Sequence, residues 1–291
     1  MVSPPRHVWL VLSVSVCAIS TAAVLVSAID DAPPIAIAIW RTAAIALLLS
    51  PFIRPVSRRD LLHIAIAGAC LGAHFATWFA SLQLTTVLRS TVLVCMGPVW
   101  TGLIEWGSKS ESPSSRYWLG LCISIPCAIW LSVTPGDGGS LTGDGLALLG
   151  GLLASVYLVL GRGVRQRVGI GSYAGLVCAF AALALLPVAL VTDTPLFGFS
   201  WTTWALIGGL AAGPQLLGHN GFNYALKFVP ASSVSAATLL EPVGATILAW
   251  LWLNQTPTLT ASAAGVGVVG GVLWAALPST SRLFRRRQSP R

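Results

Sequence analysis

The segment SLQLTTVLRSTVLVCMGPVW (residues 81–100) has a weak second copy 144 residues further along, ALKFVPASSVSAATLLEPVG (residues 225–244). In each copy one apolar run ends, a short break follows, and the next run reaches a proline, Pro98 or Pro242, near its middle. An odd number of apolar runs separates the copies. If every run crosses a membrane, the second copy is therefore inverted relative to the first, which is the usual architecture of secondary transporters.

The composition supports membrane crossing. Of 291 residues, 55% are hydrophobic and only 9% are charged, whereas soluble domains carry about 25% charged residues. The sequence therefore excludes a soluble enzyme and a disordered chain, and its apolar surface is expected to face lipid. A transmembrane helix needs about 20 mostly apolar residues.

The apolar runs predict an all-α integral membrane protein with ten transmembrane helices in two inverted five-helix repeats. The first run is longer than the apolar core of a signal peptide and is interpreted as a retained span. The repeats cover residues 1–143 and 144–277, and a basic tail follows at 278–291. The predicted spans are 8–29, 33–53, 61–82, 88–106, 117–134, 144–161, 173–192, 201–223, 231–253 and 258–277.

The positive charges predict the orientation of these spans. All of the 17 lysines and arginines except Arg41 and Arg89 lie in one alternating set of breaks or at the termini. The other set carries Asp30, Asp31, Asp137, Asp144 and Asp193 and no lysine or arginine. Because positive loops stay in the cytoplasm, both termini are predicted to be cytoplasmic, in a multi-pass protein of the cell membrane.

The sequence predicts neither a metal nor a cofactor. The six cysteines lie within apolar runs and form no CxxC pair, so they are interpreted as packing residues. The arginine-rich tail is interpreted as a contact for anionic lipid head groups rather than for nucleic acid, since no folded basic domain accompanies it. The predicted partners are a small-molecule substrate and the lipid bilayer, and the sequence allows a homodimer.

The chain resembles the EamA family of the drug/metabolite transporter superfamily. The resemblance rests on NYALKFVPASSVSAATLLEPVGATILAWLWL (223–253), WRTAAIALLL (40–49), HFATWFASLQLTTVLRSTVLVCMGPVW (74–100) and GVGVVGGVLW (265–274). It implies ten helices, two inverted halves, and export or exchange of small metabolites. The chain departs from the family pattern at Asn254 and Gln255, where many relatives carry glycine and glutamate.

Polar residues within spans are energetically expensive and are candidates for function. Arg41 lies about 12 Å deep at ~1.5 Å per residue, where it could bind a substrate carboxylate by two parallel hydrogen bonds. Its alternative role is a structural tether to helix-end carbonyls or to Asp30. His74 and Trp78 share one helix face and are predicted to line a cavity, although Trp78 could instead anchor the helix at the membrane interface.

Two further groups lie in the second half. Glu241 lies near the predicted midplane beside Pro242, which leaves a backbone carbonyl without its amide partner. It could bind substrate and exchange a proton, or it could simply satisfy the broken helix. Asn220, Asn223 and Lys227, at i, i+3 and i+7, could form an inner gate together with His219, or they could cap a helix end.

These observations predict a secondary transporter, not an enzyme, that exports small metabolites. Amino acids or related compounds are favoured by the resemblance and by the predicted contact between Arg41 and a carboxylate. One alternative is an exporter of amphipathic cations or drugs, with Glu241 and Trp78 as partners. A remote alternative is a membrane-embedded enzyme acting on a lipid-linked substrate, for which the sequence offers no paired acid–base or metal constellation.

Overall fold

Within residues 4–109, 111–132, 140–253, 256 and 258–276, which the computed structural model describes, the chain is helical and has no strand. The tail 278–291, Asp137, Asn254 and Gln255 lie outside these residues. The α-helices are α1 (Arg6–Ile19), α2 (Ala22–Ser27), α3 (Pro34–Leu49), α4 (Arg58–Leu82), α5 (Val87–Val94), α6 (Gly97–Ser108), α7 (Ser115–Ser132), α8 (Leu141–Arg165), α9 (Ile170–Val191), α10 (Trp201–Leu210), α11 (Asn220–Ala225), α12 (Ala231–Thr238), α13 (Glu241–Leu253) and α14 (Leu259–Ala276).

Six helical stretches among the described residues are long and apolar enough to cross a membrane. They are Arg6–Ser27, Pro34–Phe52, Arg58–Leu82, Leu141–Arg165, Ile170–Val191 and Ala231–Leu248. The structure therefore agrees with an all-α membrane protein.

Several predicted spans are interrupted helices. The predicted span 88–106 consists of α5 and α6, and the predicted span 231–253 consists of α12 and α13. The span 201–223 contains a π-helical segment, Ala211–His219, with Pro214 inside it. Helix α8 begins at Leu141, so the boundary placed between residues 143 and 144 falls within its first turn.

The helix boundaries repeat along the chain. Helix α5 covers 87–94 and α12 covers 231–238, while α6 and α13 begin at Gly97 and Glu241, directly before the two prolines. Helices α7 and α14, at 115–132 and 259–276, keep the same offset of 144 residues. Proline has no amide hydrogen to donate, so it is tolerated in the first turn of each second helix and fixes the break at the same place in both copies.

Polar contacts join the interhelical segments into two groups, which define two ends of the bundle. At the first, the Asp30 end, Asp31 accepts hydrogen bonds from the Thr203 hydroxyl and from the Ser200 amide at 2.8 Å. These bonds lower the pKa of Asp31 below its usual value. Arg89 and Asp144 form an ion pair at the same end.

The second group of contacts defines the Arg165 end. The amide of Arg54 donates to the Ser172 hydroxyl at 2.9 Å. Ion pairs join Arg167 to Asp60 and Arg162 to Glu111. The predicted alternation of breaks assigns these segments to one set and those of the Asp30 end to the other, so the contacts agree with that alternation.

Helix α4 is central to the packing, since it lies against both α8 and α9. Glycines on α4 permit the close approach to α9. A β-carbon at Gly72 would lie 2.6 Å from the carbonyl oxygen of Ala181, and one at Gly68 would lie 2.7 Å from that of Val177. This contact holds α4, which carries His74 and Trp78, against the rest of the bundle.

Candidate functional site

A cavity lies where the helices are interrupted. Its borders include both sides of three breaks: α1 to α2, α5 to α6, and α12 to α13. Its volume is about 50 Å³. The lining residues are Ile19, Ala22, His74, Trp78, Val94, Cys95, Gly97, Ala154, Tyr157, Leu158, His219, Phe222, Ser235, Thr238 and Glu241.

Glu241 is the one acidic residue among these lining residues. It is the first residue of α13 and is 7% exposed. Its carboxylate oxygen Oε2 lies 3.6 Å from the thiol of Cys95, which lies at the break between α5 and α6. A negative charge at a helix N-terminus is favoured by the helix dipole. The position of Glu241 therefore suits both of its predicted roles, satisfying the broken helix and contacting a ligand.

His74 and Trp78 lie side by side on the cavity wall. Their rings are nearly parallel, at 14°, with centroids 6.0 Å apart. Nδ1 of His74 lies 2.9 Å from the carbonyl oxygen of Gly150. A carbonyl can only accept, so Nδ1 carries a hydrogen, and Nε2 is the nitrogen that remains for another partner. Trp78 is 3% exposed, and its indole nitrogen has no hydrogen-bond partner among the described residues.

Asn220 and Asn223 lie behind the cavity wall rather than on it. The amide of Asn223 donates to Asn220 Oδ1 at 3.2 Å, and the hydroxyl of Tyr157 donates to Asn223 Oδ1. Arg165 donates from Nε to the backbone oxygen of Asn223 at 2.9 Å. Both asparagines therefore belong to a hydrogen-bonded layer between the cavity and the Arg165 end.

Arg41 is fully buried but does not line the cavity. The central carbon of its guanidinium lies 4.0 Å from the centroid of the Phe75 ring and 5.7 Å from that of Phe79. Its three side-chain nitrogens have no hydrogen-bond partner among the described residues. The predicted tether to carbonyls or to Asp30 is therefore not formed. Direct contact with a substrate in the cavity therefore requires a rearrangement at Arg41.

Sequence reasoning missed several lining residues, among them Tyr157, Phe222 and Cys95. Tyr157 lies in an apolar run without a motif, and Cys95 lies in the repeated segment 81–100 but was interpreted as a packing residue. Phe222 had a usable signal, because it lies 144 residues after Trp78, the offset that relates the two copies. Its position as the counterpart of a candidate residue could have marked it.

Each half of the chain matches the same protein-family model. The family model described as "EamA-like transporter family" matches residues 6–133 and, separately, residues 141–277. The chain belongs to this family. It is accordingly a multi-pass membrane protein of a transporter family, and its apolar helices suit that assignment.

Relatives of this EamA-family chain carry compatible names. A Bacillus subtilis (strain 168) protein named "Uncharacterized transporter YdfC" is 24% identical over 184 residues, which are 63% of this chain and 60% of the relative. An "Uncharacterized transporter" of Archaeoglobus fulgidus is 27% identical over 78% of this chain and 81% of its own length. A solved crystal structure, 20% identical, covers 97% of this chain and 99% of its own, with a TM-score of 0.74, and supports the fold.

Proposed function

We propose that this EamA-family protein is a secondary transporter that exports small amine-bearing metabolites, amino acids or related compounds, across the cell membrane. The observation that carries the proposal is the cavity at the three helix breaks with Glu241 in its wall. Transporter binding sites commonly lie near the midplane where discontinuous helices meet.

The lining suits a substrate with an ammonium group and an apolar body. Glu241 offers the negative charge, and charge-assisted hydrogen bonds are about twice as strong as neutral ones. Trp78, Tyr157 and Phe222 offer aromatic rings, whose faces attract cations by ~0.5–2 kcal/mol. We propose Glu241, His74 and Trp78 as substrate contacts.

Efflux of labelled compounds tests this function. Cells that produce the protein are expected to release one or more labelled amino acids several-fold faster than cells without it. Each amino acid is paired with its decarboxylated amine, which keeps the ammonium group and lacks the carboxylate. Release of neither class above the background of the control cells would contradict the proposal.

Export of amphipathic cations is the second candidate, and the position of Arg41 favours it. Arg41 does not line the cavity, whose lining residues include Glu241 and neither lysine nor arginine to bind a carboxylate. If Arg41 does bind a carboxylate after a rearrangement, Arg41→Gln should reduce efflux of amino acids and spare their amines. Faster release of the amines alone by the unaltered protein would favour the second candidate.

The proposed topology has ten helices in two inverted repeats, with both termini in the cytoplasm. The repeated helix boundaries, the two separate family matches and the grouping of contacts at two ends support it. The basic breaks belong to the Arg165 end, so this end is placed in the cytoplasm by the positive-inside rule. The Asp30 end then faces outward.

Cysteine labelling tests the topology. In a background without native cysteines, single cysteines replace four exposed residues, each in a different break: Ser57, Gln83, Ser112 and Pro195. An impermeant thiol reagent added outside intact cells is expected to label positions 83 and 195 and to spare 57 and 112. Permeabilised cells provide the control, since all four should then react. Labelling of 57 or 112 in intact cells would contradict the topology.

A further inference from the structure

We infer that Trp78 and Phe222 are paired gates, each closing one side of the cavity, and that Asn223 holds the Phe222 side shut. This inference rests on the proposed transport function. Trp78 on α4 and Phe222 on α11 are separated by the repeat offset of 144, and both line the cavity with 3% and 2% exposure. Two other repeat-related pairs, Val94 with Thr238 and Gly97 with Glu241, also line it.

A second space lies beyond Trp78 toward the Asp30 end. Its volume is about 300 Å³, and it is lined by Val26, Ser27, Ile29, Asp30, Pro34, Ile37, Phe79, Leu82, Gln83 and Val87. Three segments contribute to both spaces. On α4, Trp78 lies one turn from His74, in the cavity, and one turn from Leu82, in the outer space. Along α4, Trp78 therefore lies between the residues that line the two spaces.

The side beyond Phe222 is crossed by hydrogen bonds between α8 and the end of the α11 segment. Arg165 donates to the backbone oxygen of Asn223 at 2.9 Å, and Arg162 donates to that of Leu226 at 2.7 Å. Tyr157, which itself lines the cavity, donates to the Asn223 side chain. Asn223, which accepts the bonds from Arg165 and Tyr157, directly follows Phe222 in the chain.

The two sides differ at the position next to each ring. The repeat counterpart of Asn223 is Phe79, which follows Trp78 and lies against its ring with centroids 5.4 Å apart. Opening the Phe222 side breaks the hydrogen bonds between Asn223 and α8. Phe79 offers no counterpart of these bonds on the Trp78 side, where the Ser81–Ser90 hydroxyl pair and the Arg89–Asp144 ion pair join the helices instead. Loss of the Asn223 side chain is therefore expected to favour opening toward the Arg165 end, because an unpaired buried polar group is unfavourable in a low-dielectric interior.

Accessibility of a cavity cysteine measures this equilibrium without any substrate. Thr238→Cys, in the cysteine-free background, reports from the cavity wall. Right-side-out and inside-out vesicles expose opposite ends to a small impermeant thiol reagent. The ratio of its reaction rates from the two ends measures the equilibrium between the two openings. Asn223→Ala removes the side-chain hydrogen bonds to Tyr157 and to Asn220, of which the first joins Asn223 to α8. Loss of this one bond to α8 should shift the ratio of the two rates by about threefold to tenfold toward the Arg165 end.

Tyr157→Phe, which removes the same hydrogen bond and keeps the ring, should shift the ratio in the same direction. Thr42→Val is the control, because the buried Thr42 hydroxyl donates to two carbonyls of its own helix, at 2.7 and 3.1 Å, and joins no other helix among the described residues. Its ratio should stay unchanged. A shift of less than twofold in both Asn223→Ala and Tyr157→Phe would contradict the inference that Asn223 holds the Phe222 side shut.

The rings are tested separately. Phe222→Ala is expected to raise the reaction rate of the reporter from the Arg165 end, and Trp78→Ala from the Asp30 end. If each variant instead raised the rate from the opposite end, or raised it equally from both ends, Trp78 and Phe222 would not be the gates. Because these rates are measured without substrate, failure of the efflux panel would count against the proposed function alone. Unchanged labelling in a protein that transports would count against the gates alone.

Discussion

Replacement of Glu241 by glutamine is expected to slow efflux of amine-bearing metabolites at least about tenfold. Glutamine keeps the shape of the side chain but loses the charge, and hydrogen bonds to charged groups contribute ~1.5–3 kcal/mol. A loss of ~1.4 kcal/mol is already a tenfold change in binding. Glu241 contacts the Cys95 thiol on the neighbouring broken helix, and an amide can occupy the same space. The amount of protein in the membrane should therefore be unchanged.

The pH dependence separates charge from shape. A carboxyl group in the cavity can exchange a proton with a passing substrate or with water, whereas an amide cannot. Efflux by the unaltered protein is expected to vary between about pH 5 and pH 8, and the residual efflux of the glutamine variant is expected to vary less over the same range.

Asp193→Asn serves as the matched control for Glu241→Gln. Asp193 is exposed and does not line the cavity. It has a positive φ of 47°, a conformation that asparagine also tolerates. This control should transport normally. If Glu241→Gln transported like the control at every pH, the carboxyl group would have a structural role alone, satisfying the end of α13.

Some features of the cavity follow from the sequence because they depend on local chemistry. Proline lacks an amide hydrogen, so Pro242 predicts a broken helix near Glu241, and the structure places the break directly before this pair. His74 and Trp78 share a face by helical spacing alone, and their stacked rings reflect it. The repeat offset extends the same reasoning from Trp78 to Phe222.

Other features depend on contacts between distant segments. The depth of Arg41 follows from its place in an apolar run, but the Phe75 ring that covers it belongs to another helix. Tyr157 meets Asn223 across 66 residues of sequence. The hydrogen bonds that Asn223 makes with α8, between the cavity and the Arg165 end, could therefore not be predicted from helical spacing. The π-helical segment was also missed, since an apolar run does not distinguish it from an α-helix.

Gly72→Ala is expected to destabilise the protein and to reduce transport, although it adds a single methyl group. The new β-carbon would lie 2.6 Å from the carbonyl oxygen of Ala181 and 3.2 and 3.3 Å from two more of its backbone atoms. Backbone cannot rotate away as a side chain can, so α4 must shift from α9. Overpacking of this kind costs about 1–3 kcal/mol, and the Tm of the purified protein should fall by several degrees.

The shift would also move His74 and Trp78, which lie on the same helix as Gly72 and face the cavity. Gly208→Ala is the matched control, because a β-carbon on this α10 glycine has no atom within 4 Å. Alanine favours a helix interior over glycine by ~0.8–1 kcal/mol, so the control should be as stable as the unaltered protein or more so. Equal Tm values for the two variants would contradict the close packing of α4 on α9. A lowered Tm with normal efflux would separate that packing from the geometry of the cavity.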